Sequence, residues 1–195
     1  MDAATLLSRF PATQDLAGKD MPTFRVAGAD LLAAVRFLRD EQGFDLLADL
    51  CGAEWQDRPT RFGVVLHLLS TAGKEYVRLH VDAVNDRVPS VAALHPGANW
   101  HEREAFDMFG IVFEGHPDPR RILMWDGYPF HPLRKDFPLA GIEVPLPAAD
   151  VAAVTGQTVE PAPMMGGPFV SQGGKMSEGE PSALDQSWNE QQPKA

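Results

Sequence analysis

Apolar residues recur every three or four positions between Ala29 and Gln42, which predicts an amphipathic helix. Asp30 stands at the position of an N-cap residue. Gly43 stands where a glycine in the left-handed conformation commonly follows a helix. We therefore expect one helix with both ends marked in the sequence.

Three segments after this helix have the pattern of β-strands: FDLLADLCGAEW, RFGVVLHLLS and EYVRLHVDA. The third alternates strictly, which places Val77, Leu79 and Val81 on one face of a half-buried strand. The second is apolar on both faces apart from His67, as is typical of a central strand. With TAGK as a hairpin link, the pattern predicts an antiparallel meander of about three strands.

The pattern becomes helical again after the strands. PSVAALHPGAN suggests a short helical piece that ends at its His-Pro-Gly. Asn99 and Glu102 then fit a capping box, with the helix running to Phe109 and stopping at Gly110. Phe106 and Phe109 are expected in the core, and the apolar residues IVF lead the chain out of the helix. The predicted fold is α+β, a two-layer domain with helices packed on one face of a mostly antiparallel sheet.

Beyond Leu139 the periodicity is lost. Residues 140–195 contain 7 Pro and 7 Gly, with 7 acidic residues against 2 lysines. We predict an α+β domain over residues 1–139 and a long, extended, acidic C-terminal tail over residues 140–195. Four apolar residues of this tail suggest short docking contacts with a partner: Val144, Leu146, Val151 and Val154.

The charge and the cysteine content of the chain argue against several classes of function. The chain has 17 basic and 27 acidic residues, a formal net charge of −10, which argues against non-specific nucleic-acid binding and docking to anionic lipid. A lone cysteine, Cys51, forms no internal disulfide and cannot hold an iron–sulfur cluster by itself. With neither a secretory signal pattern nor an apolar run of about 18 residues, the chain is expected to be cytosolic or peripheral to a larger structure.

Candidate chemistry is concentrated in WHEREAFDMFGIVFEGHPDPRRI, which begins at Trp100. His101 and Glu102 start a zinc-binding H-E-x-x-H motif, but position 105 is alanine, so a zinc site would need ligands from elsewhere. Glu102, Glu104 and Asp107 could form a general acid–base set. Ordinary helix electrostatics and an inter-subunit ion-pair network are the alternatives. The spacing places Glu104 and Asp107 on one face, with Arg103 beside Asp107.

Two similar motifs follow, HPDPRR at His116 and HPLRKD at His131. Proline disfavours helical geometry at the preceding histidine, so both motifs should be extended. Arg120 and Arg121 are expected to serve as anchors toward a partner, because guanidinium groups suit planar carboxylates. Phosphate binding and a solvated loop are alternatives; His67 and His80, on predicted strands, are expected to be structural. The candidate residues for a partner interface or a structural ion-pair network are Glu102, Arg103, Glu104, Asp107, His116, Asp118, Arg120, Arg121, His131, Arg134, Lys135 and Asp136.

Two stretches resemble a known family. EREAFDMFGIVFEGHPDPRRIL, from Glu102 to Leu123, and HPLRKDFPL, from His131 to Leu139, resemble the signature of the 30 kDa subunit of NADH:quinone oxidoreductase, which is respiratory complex I. The resemblance covers about Ala29 to Leu139. Pro119 stands where the family usually has leucine, and LMWDGYPF replaces the usual approach to the second His-Pro, so the local turn is expected to differ.

The resemblance implies a non-redox structural subunit of the peripheral arm of a proton-translocating enzyme, on the cytoplasmic side of the bacterial inner membrane. It would pack against the D and B subunits near the quinone site. NADH, FMN, iron–sulfur clusters and quinone would bind to other subunits, with no cofactor in this chain. One alternative is the equivalent subunit of a membrane-bound hydrogenase or a ferredoxin- or F420-linked dehydrogenase. The other is a stand-alone metal-dependent hydrolase using His101, Glu102 and Glu104.

Overall fold

The computed structural model describes residues 3–56, 58–125 and 127–138. The tail with its apolar set Val144, Leu146, Val151 and Val154 lies outside the described residues. In the described part, the elements in chain order are α1 (Ala3–Arg9), β1 (Gln14–Asp15), β2 (Thr23–Arg25), a 3-10 turn (Gly28–Asp30), α2 (Leu31–Asp40), β3 (Leu46–Glu54), β4 (Phe62–Ser70), β5 (Glu75–Asp82), β6 (Arg87–Pro89), α3 (Ala98–Phe109) and β7 (Val112–Glu114).

The main sheet contains the predicted meander. Within the described residues its strand order is β1-β2-β5-β4-β3, with β4 antiparallel to both β3 and β5. The predicted central position of β4 and the TAGK hairpin are confirmed. The strands β1 and β2, which extend the sheet, were not predicted, and β2 runs parallel to β5. They have two and three residues, too few for a sequence period to show.

The core lies on one face of the main sheet. Val77, Leu79 and Val81 are 0% exposed, as predicted, and pair with the equally buried Leu68, Leu66 and Val64 of β4. The buried stripe of α2 belongs to the same apolar cluster and consists of Leu31, Ala34, Val35, Phe37 and Leu38. The predicted α+β class is confirmed, because helices and a mostly antiparallel sheet share this core.

The ends of α2 agree with the sequence in position. Asp30 is the N-cap residue, but its side chain makes no capping hydrogen bond. At the other end, Gly43 has a φ of +75°, and the N–H of Phe44 donates to the carbonyl of Leu38 at 2.9 Å. Glycine has no Cβ to clash in this left-handed conformation, so the helix stops where predicted.

The segments on either side of α3 refine two expectations. The short helical piece is a single turn, in which the N–H groups of Leu94 and His95 donate to the carbonyl of Val91 at 2.9 Å. The apolar exit IVF is part of a strand, since Val112–Glu114 pairs in parallel with Arg87–Pro89. This partner lies more than twenty residues upstream, so local periodicity gives no sign of it.

The capping box at the start of α3 was wrong, but its end was predicted correctly. The helix begins at Ala98 after Gly97, and Glu102 bonds to other parts of the chain. It ends at Gly110, which has a φ of +78°. Phe106 and Phe109 pack on the core but are only partly buried. The buried residues of α3 are Ala98, Glu102, Ala105, Asp107 and Met108.

Candidate functional site

Glu102 lies fully buried on α3. Its Oε2 accepts a hydrogen bond from the hydroxyl of Ser90 at 2.6 Å, and its Oε1 accepts one from the N–H of Val91 at 2.7 Å. The Nε2 of His116 is 3.8 Å from Oε2. Burial removes the hydration of the carboxylate and raises the pKa of Glu102 to about 7. The side chain therefore fixes α3 to the turn after β6.

His116 attaches the first His-Pro motif to the start of α3. Its Nδ1 accepts a hydrogen bond from the N–H of Asp118 at 2.9 Å, and its Nε2 is 3.1 Å from the carbonyl of Asn99. An Nδ1 that accepts places the ring proton on Nε2, which then donates to that carbonyl. The two contacts orient the ring between the helix and the extended chain that follows it.

Asp107, one and a half turns after Glu102, holds the next stretch of extended chain. Its Oδ2 accepts hydrogen bonds from the successive N–H groups of Ile122, Leu123 and Met124, at 3.0, 2.7 and 2.8 Å. Its Oδ1 pairs with the guanidinium of Arg121. Burial opposes ionisation, but these donors together keep the pKa of Asp107 below its usual value.

Arg103 also holds this stretch. Its Nε donates to the carbonyl of Arg120 at 2.9 Å and its Nη2 to the carbonyl of Arg121 at 3.0 Å. The prediction that Glu104 and Asp107 share one face of the helix was wrong: Glu104 is exposed and Asp107 is buried. Both Arg103 and Asp107 instead bind the backbone of the following segment.

The two consecutive arginines have opposite environments. The side chain of Arg120 is 72% exposed and donates to both carboxylate oxygens of Asp118, at 2.7 and 2.8 Å. The hydrogen bond from Arg120 is the main cause that lowers the pKa of Asp118 to about 2. The side chain of Arg121 is only 12% exposed, because it is used inside the domain. The expectation that both arginines are anchors toward a partner therefore fails for Arg121.

The second His-Pro motif lies against the carbonyl end of α3. The Nδ1 of His131 is 2.9 Å from the carbonyl of Asp107, and the Nε of Arg134 donates to the carbonyl of Phe109 at 2.6 Å. The N–H of Leu133 donates to the carbonyl of Met108 at 3.1 Å. These groups satisfy carbonyls that a helix end leaves without partners. Burial lowers the pKa of His131.

We call residues 116–134 the His-Pro segment. Its described residues are attached to both ends of α3, and the carboxylate of Asp107 holds the stretch between. Lys135 and Asp136 follow the first compact unit, which ends at Arg134. Sequence reasoning missed Ser90 and the backbone N–H groups of residues 122–124. A lone serine and unmarked backbone give no signal in a sequence.

The residues proposed for a hydrolase are not brought together. Glu102 is buried, Glu104 is exposed, and the Nδ1 of His101 lies 3.7 Å from Asp49 of β3. Over the ranges that the structure describes, no group of three or more His, Cys, Asp or Glu side chains is placed to hold a metal ion. None of the helices in these same ranges combines the length and the apolar character that crossing a bilayer requires.

Solved structures share this fold. One is titled "Nqo5 of the trypsin-resistant fragment (1-134) in P63 form"; it is 31% identical with a TM-score of 0.53, over 60% of this chain and 99% of that chain. Another belongs to a membrane-bound sulfane sulfur reductase described as an archaeal respiratory membrane complex. It is 20% identical with a TM-score of 0.59, over 89% of this chain and 96% of that chain, and shows the fold alone.

The family follows from the sequence comparison. Residues 24–143 match the family model described as respiratory-chain NADH dehydrogenase, 30 Kd subunit, and the chain belongs to that family. The C subunit of NADH-quinone oxidoreductase from Rhizobium leguminosarum bv. trifolii is 51% identical over 124 residues, 61% of each chain. The corresponding protein of Phenylobacterium zucineum is 50% identical over 112 residues, 57% of this chain and 54% of its own. The match thus spans only about three fifths of these relatives. The predicted family is confirmed.

Proposed function

We propose that this chain is a non-redox structural subunit in the peripheral arm of a proton-translocating NADH:quinone oxidoreductase. It supports electron transfer from NADH to quinone by packing against the D and B subunits, on the cytoplasmic side of the bacterial inner membrane. NADH, FMN, iron–sulfur clusters and quinone bind to the other subunits. Membership of the 30 kDa subunit family and the names of the relatives support this assignment.

The proposal of a structural rather than a catalytic role rests on the contacts that the charged residues of α3 make. A catalytic carboxylate must reach its substrate, whereas Glu102 and Asp107 are 0% exposed and bind backbone and side chains of their own domain. Asp107 gives the extended His-Pro segment a fixed shape, and Glu102 fixes α3 to the turn after β6. Large apolar side chains, Trp100, Leu123 and Leu133, stay exposed on α3 and this segment. A rigid surface of this kind suits a partner protein.

The test is purification of the tagged full-length chain from solubilised membranes of its host. We expect the other subunits of a NADH:quinone oxidoreductase to co-purify, the D and B subunits among them, together with NADH:quinone activity. Recovery of the chain alone would overturn the proposal. Electron-input subunits of a hydrogenase or of a ferredoxin- or F420-linked dehydrogenase would instead assign it to one of those complexes.

A variant separates the structural role from the hydrolase alternative. Glu104→Gln removes a carboxylate of α3 that is exposed to solvent. We expect it to restore NADH:quinone activity fully in a strain that lacks the native gene. A loss of activity with normal assembly would indicate a chemical role for Glu104.

A further inference from the structure

The face of the main sheet that points away from the core carries charged, aromatic and apolar side chains. Residues paired across neighbouring strands share a face, so the register defines its rows. We call this surface the outer face. Its rows are first Leu46, Leu69 and Tyr76, then Asp49, His67 and Arg78, and then Cys51, Val65, His80 and Arg25.

The first row leaves large apolar side chains in contact with solvent. Leu46 is 46% exposed and Tyr76 is 44% exposed, and they flank the partly buried Leu69. Next to this strip, Arg78 donates to the Nε2 of His67 at 2.8 Å and pairs with Asp20 at 2.7 Å. An apolar strip bordered by satisfied polar groups is typical of a surface that another protein covers.

At His80, the third row meets a stack formed by the rings of His80 and Trp55 and the guanidinium group of Arg58. The guanidinium of Arg58 lies 4.0 Å from the centre of the Trp55 ring, and that ring stacks on His80 at 6.0 Å with an angle of 27°. Among the described residues, no carboxylate pairs with Arg58. Stacking positions the planar group but leaves its hydrogen-bond donors unused.

Several polar atoms around this stack are buried without a hydrogen-bond partner in the described part of the chain. They are the Nη1 of Arg58, the Nδ1 of His80, the Nε of Arg25 and the Oδ1 of Asp82. Arg25 and Asp82 can satisfy each other after a small rotation, since their Nε and Oδ2 are 3.9 Å apart. The Nη1 of Arg58 then keeps a donor, and the Nδ1 of His80 a ring nitrogen, without a hydrogen-bond partner among the described residues. A buried polar group without a partner is costly.

Positive charge dominates around His80. Burial and the neighbouring guanidinium groups of Arg58, Arg78 and Arg25 lower the pKa of His80. Asp20 neutralises Arg78 and Asp82 lies near Arg25, which leaves the charge of Arg58 uncompensated by the described residues, in a chain of net charge −10. The group that would complete this cluster is therefore an anionic acceptor.

We propose that the outer face is a second protein-docking surface, at which a carboxylate side chain of a partner subunit binds Arg58 and His80 while the partner covers Leu46, Leu69 and Tyr76. The proposal rests on the proposed function, because the partner is a subunit of the same complex. A carboxylate can accept from two guanidinium N–H groups at once, and the planar fork of Arg58 is already oriented by Trp55. This surface lies on the main sheet, whereas the His-Pro segment is attached to α3, so the chain would contact partners at two places.

Cys51 provides a direct test, because it is the one cysteine of the chain and lies exposed on the outer face. The labelling rate with a maleimide is measured on the purified full-length chain and on the complex purified from membranes. We expect labelling in the complex to be at least about tenfold slower, because it must wait for transient opening. Equal rates would overturn the proposal.

The chemistry of the partner is tested with Arg58→Lys. A carbodiimide joins an amine directly to a carboxylate, so treatment of the assembled complex should link position 58 to an Asp or Glu of another subunit, identified by mass spectrometry. Arg36→Lys, on the exposed side of α2, is the matched control and should give no such link. Slow labelling of Cys51 without a link from position 58 would contradict the proposal that the partner binds Arg58 through a carboxylate.

The results also separate the two proposals. A chain that purifies without other subunits contradicts both of them. A chain that purifies within a complex while Cys51 labels at the rate of the free chain contradicts only the docking surface on the outer face.

Discussion

Glu102 and Asp107 are two fully buried acids of one helix that meet different environments. Glu102 accepts hydrogen bonds from one hydroxyl and one backbone N–H, too few to offset its lost hydration, and its pKa rises to about 7. Asp107 accepts from three backbone N–H groups and a guanidinium, and its pKa falls. The donors that surround a buried carboxylate, as well as its burial, decide the direction of the shift.

The pKa of Glu102 predicts a contribution to the stability of the domain that is lost as the pH rises. The unfolded carboxyl titrates near 4.5 and the folded one near 7, so between these values the folded state binds more protons. The contribution of Glu102 to the free energy of unfolding then decreases with pH over this window, by a total on the order of 3 kcal/mol. Glu102→Gln should flatten the pH dependence of the urea midpoint there. Glu104→Gln is the control and should keep the wild-type slope; an unchanged slope in Glu102→Gln would assign the effect to another group.

Asp107→Ala should destabilise the domain by about 3–5 kcal/mol, because it leaves Arg121 and three backbone N–H groups without their acceptor. Urea unfolding of the full chain measures the change. Glu104→Ala, on the exposed side of the same helix, should change the free energy of unfolding by no more than about 0.5 kcal/mol. A loss below about 1 kcal/mol for Asp107→Ala would contradict the anchoring role.

At the scale of elements, the two ends of α3 show which local signals are dependable. Gly110 ends the helix because the backbone turns left-handed there, a conformation that glycine adopts without the clash of a Cβ. The capping box fails because Glu102 has stronger partners in Ser90 and Val91. A backbone conformation is imposed locally, whereas a carboxylate binds whichever donors the fold brings nearest.

Gly110→Ala should therefore cost about 2 kcal/mol or more, from the left-handed conformation and from contact with the next segment. A Cβ at this position would lie 2.7 Å from the Nε2 of His131. Gly97→Ala, at the other end of the helix, is the matched control: its φ is −60° and a Cβ there meets nothing within 4 Å. Thermal melts of both variants measure the difference, and equal melting temperatures would contradict the argument.

At the scale of the molecule, the question is what the C-terminal residues do. Their composition cannot bury enough apolar surface to offset an ordering entropy of about 1–2 kcal/mol per residue. We predict that residues 140–195 lie extended on a partner subunit, with Pro145 and Pro147 favouring an extended backbone. The boundary after Leu139 remains a prediction from the sequence.

Removing the residues after Leu139 should change the melting temperature of the isolated chain by less than about 2 °C, because the core is built from earlier elements. The yield of assembled complex should fall, because the docking contacts are lost. Calorimetry and purification from membranes measure the two effects. An unfolded truncated chain would show that the tail packs on its own domain.

The sequence alone determined the elements whose pattern repeats: α2, the antiparallel meander and the end of α3. It also determined the family, because the motifs from Glu102 to Leu139 are specific as strings of letters. Tertiary structure alone decided the roles within those motifs. Arg120 and Arg121 are adjacent and identical, yet one is exposed and the other buried against Asp107. Which charged side chains face inward depends on contacts between distant parts of the chain, and no local period encodes them.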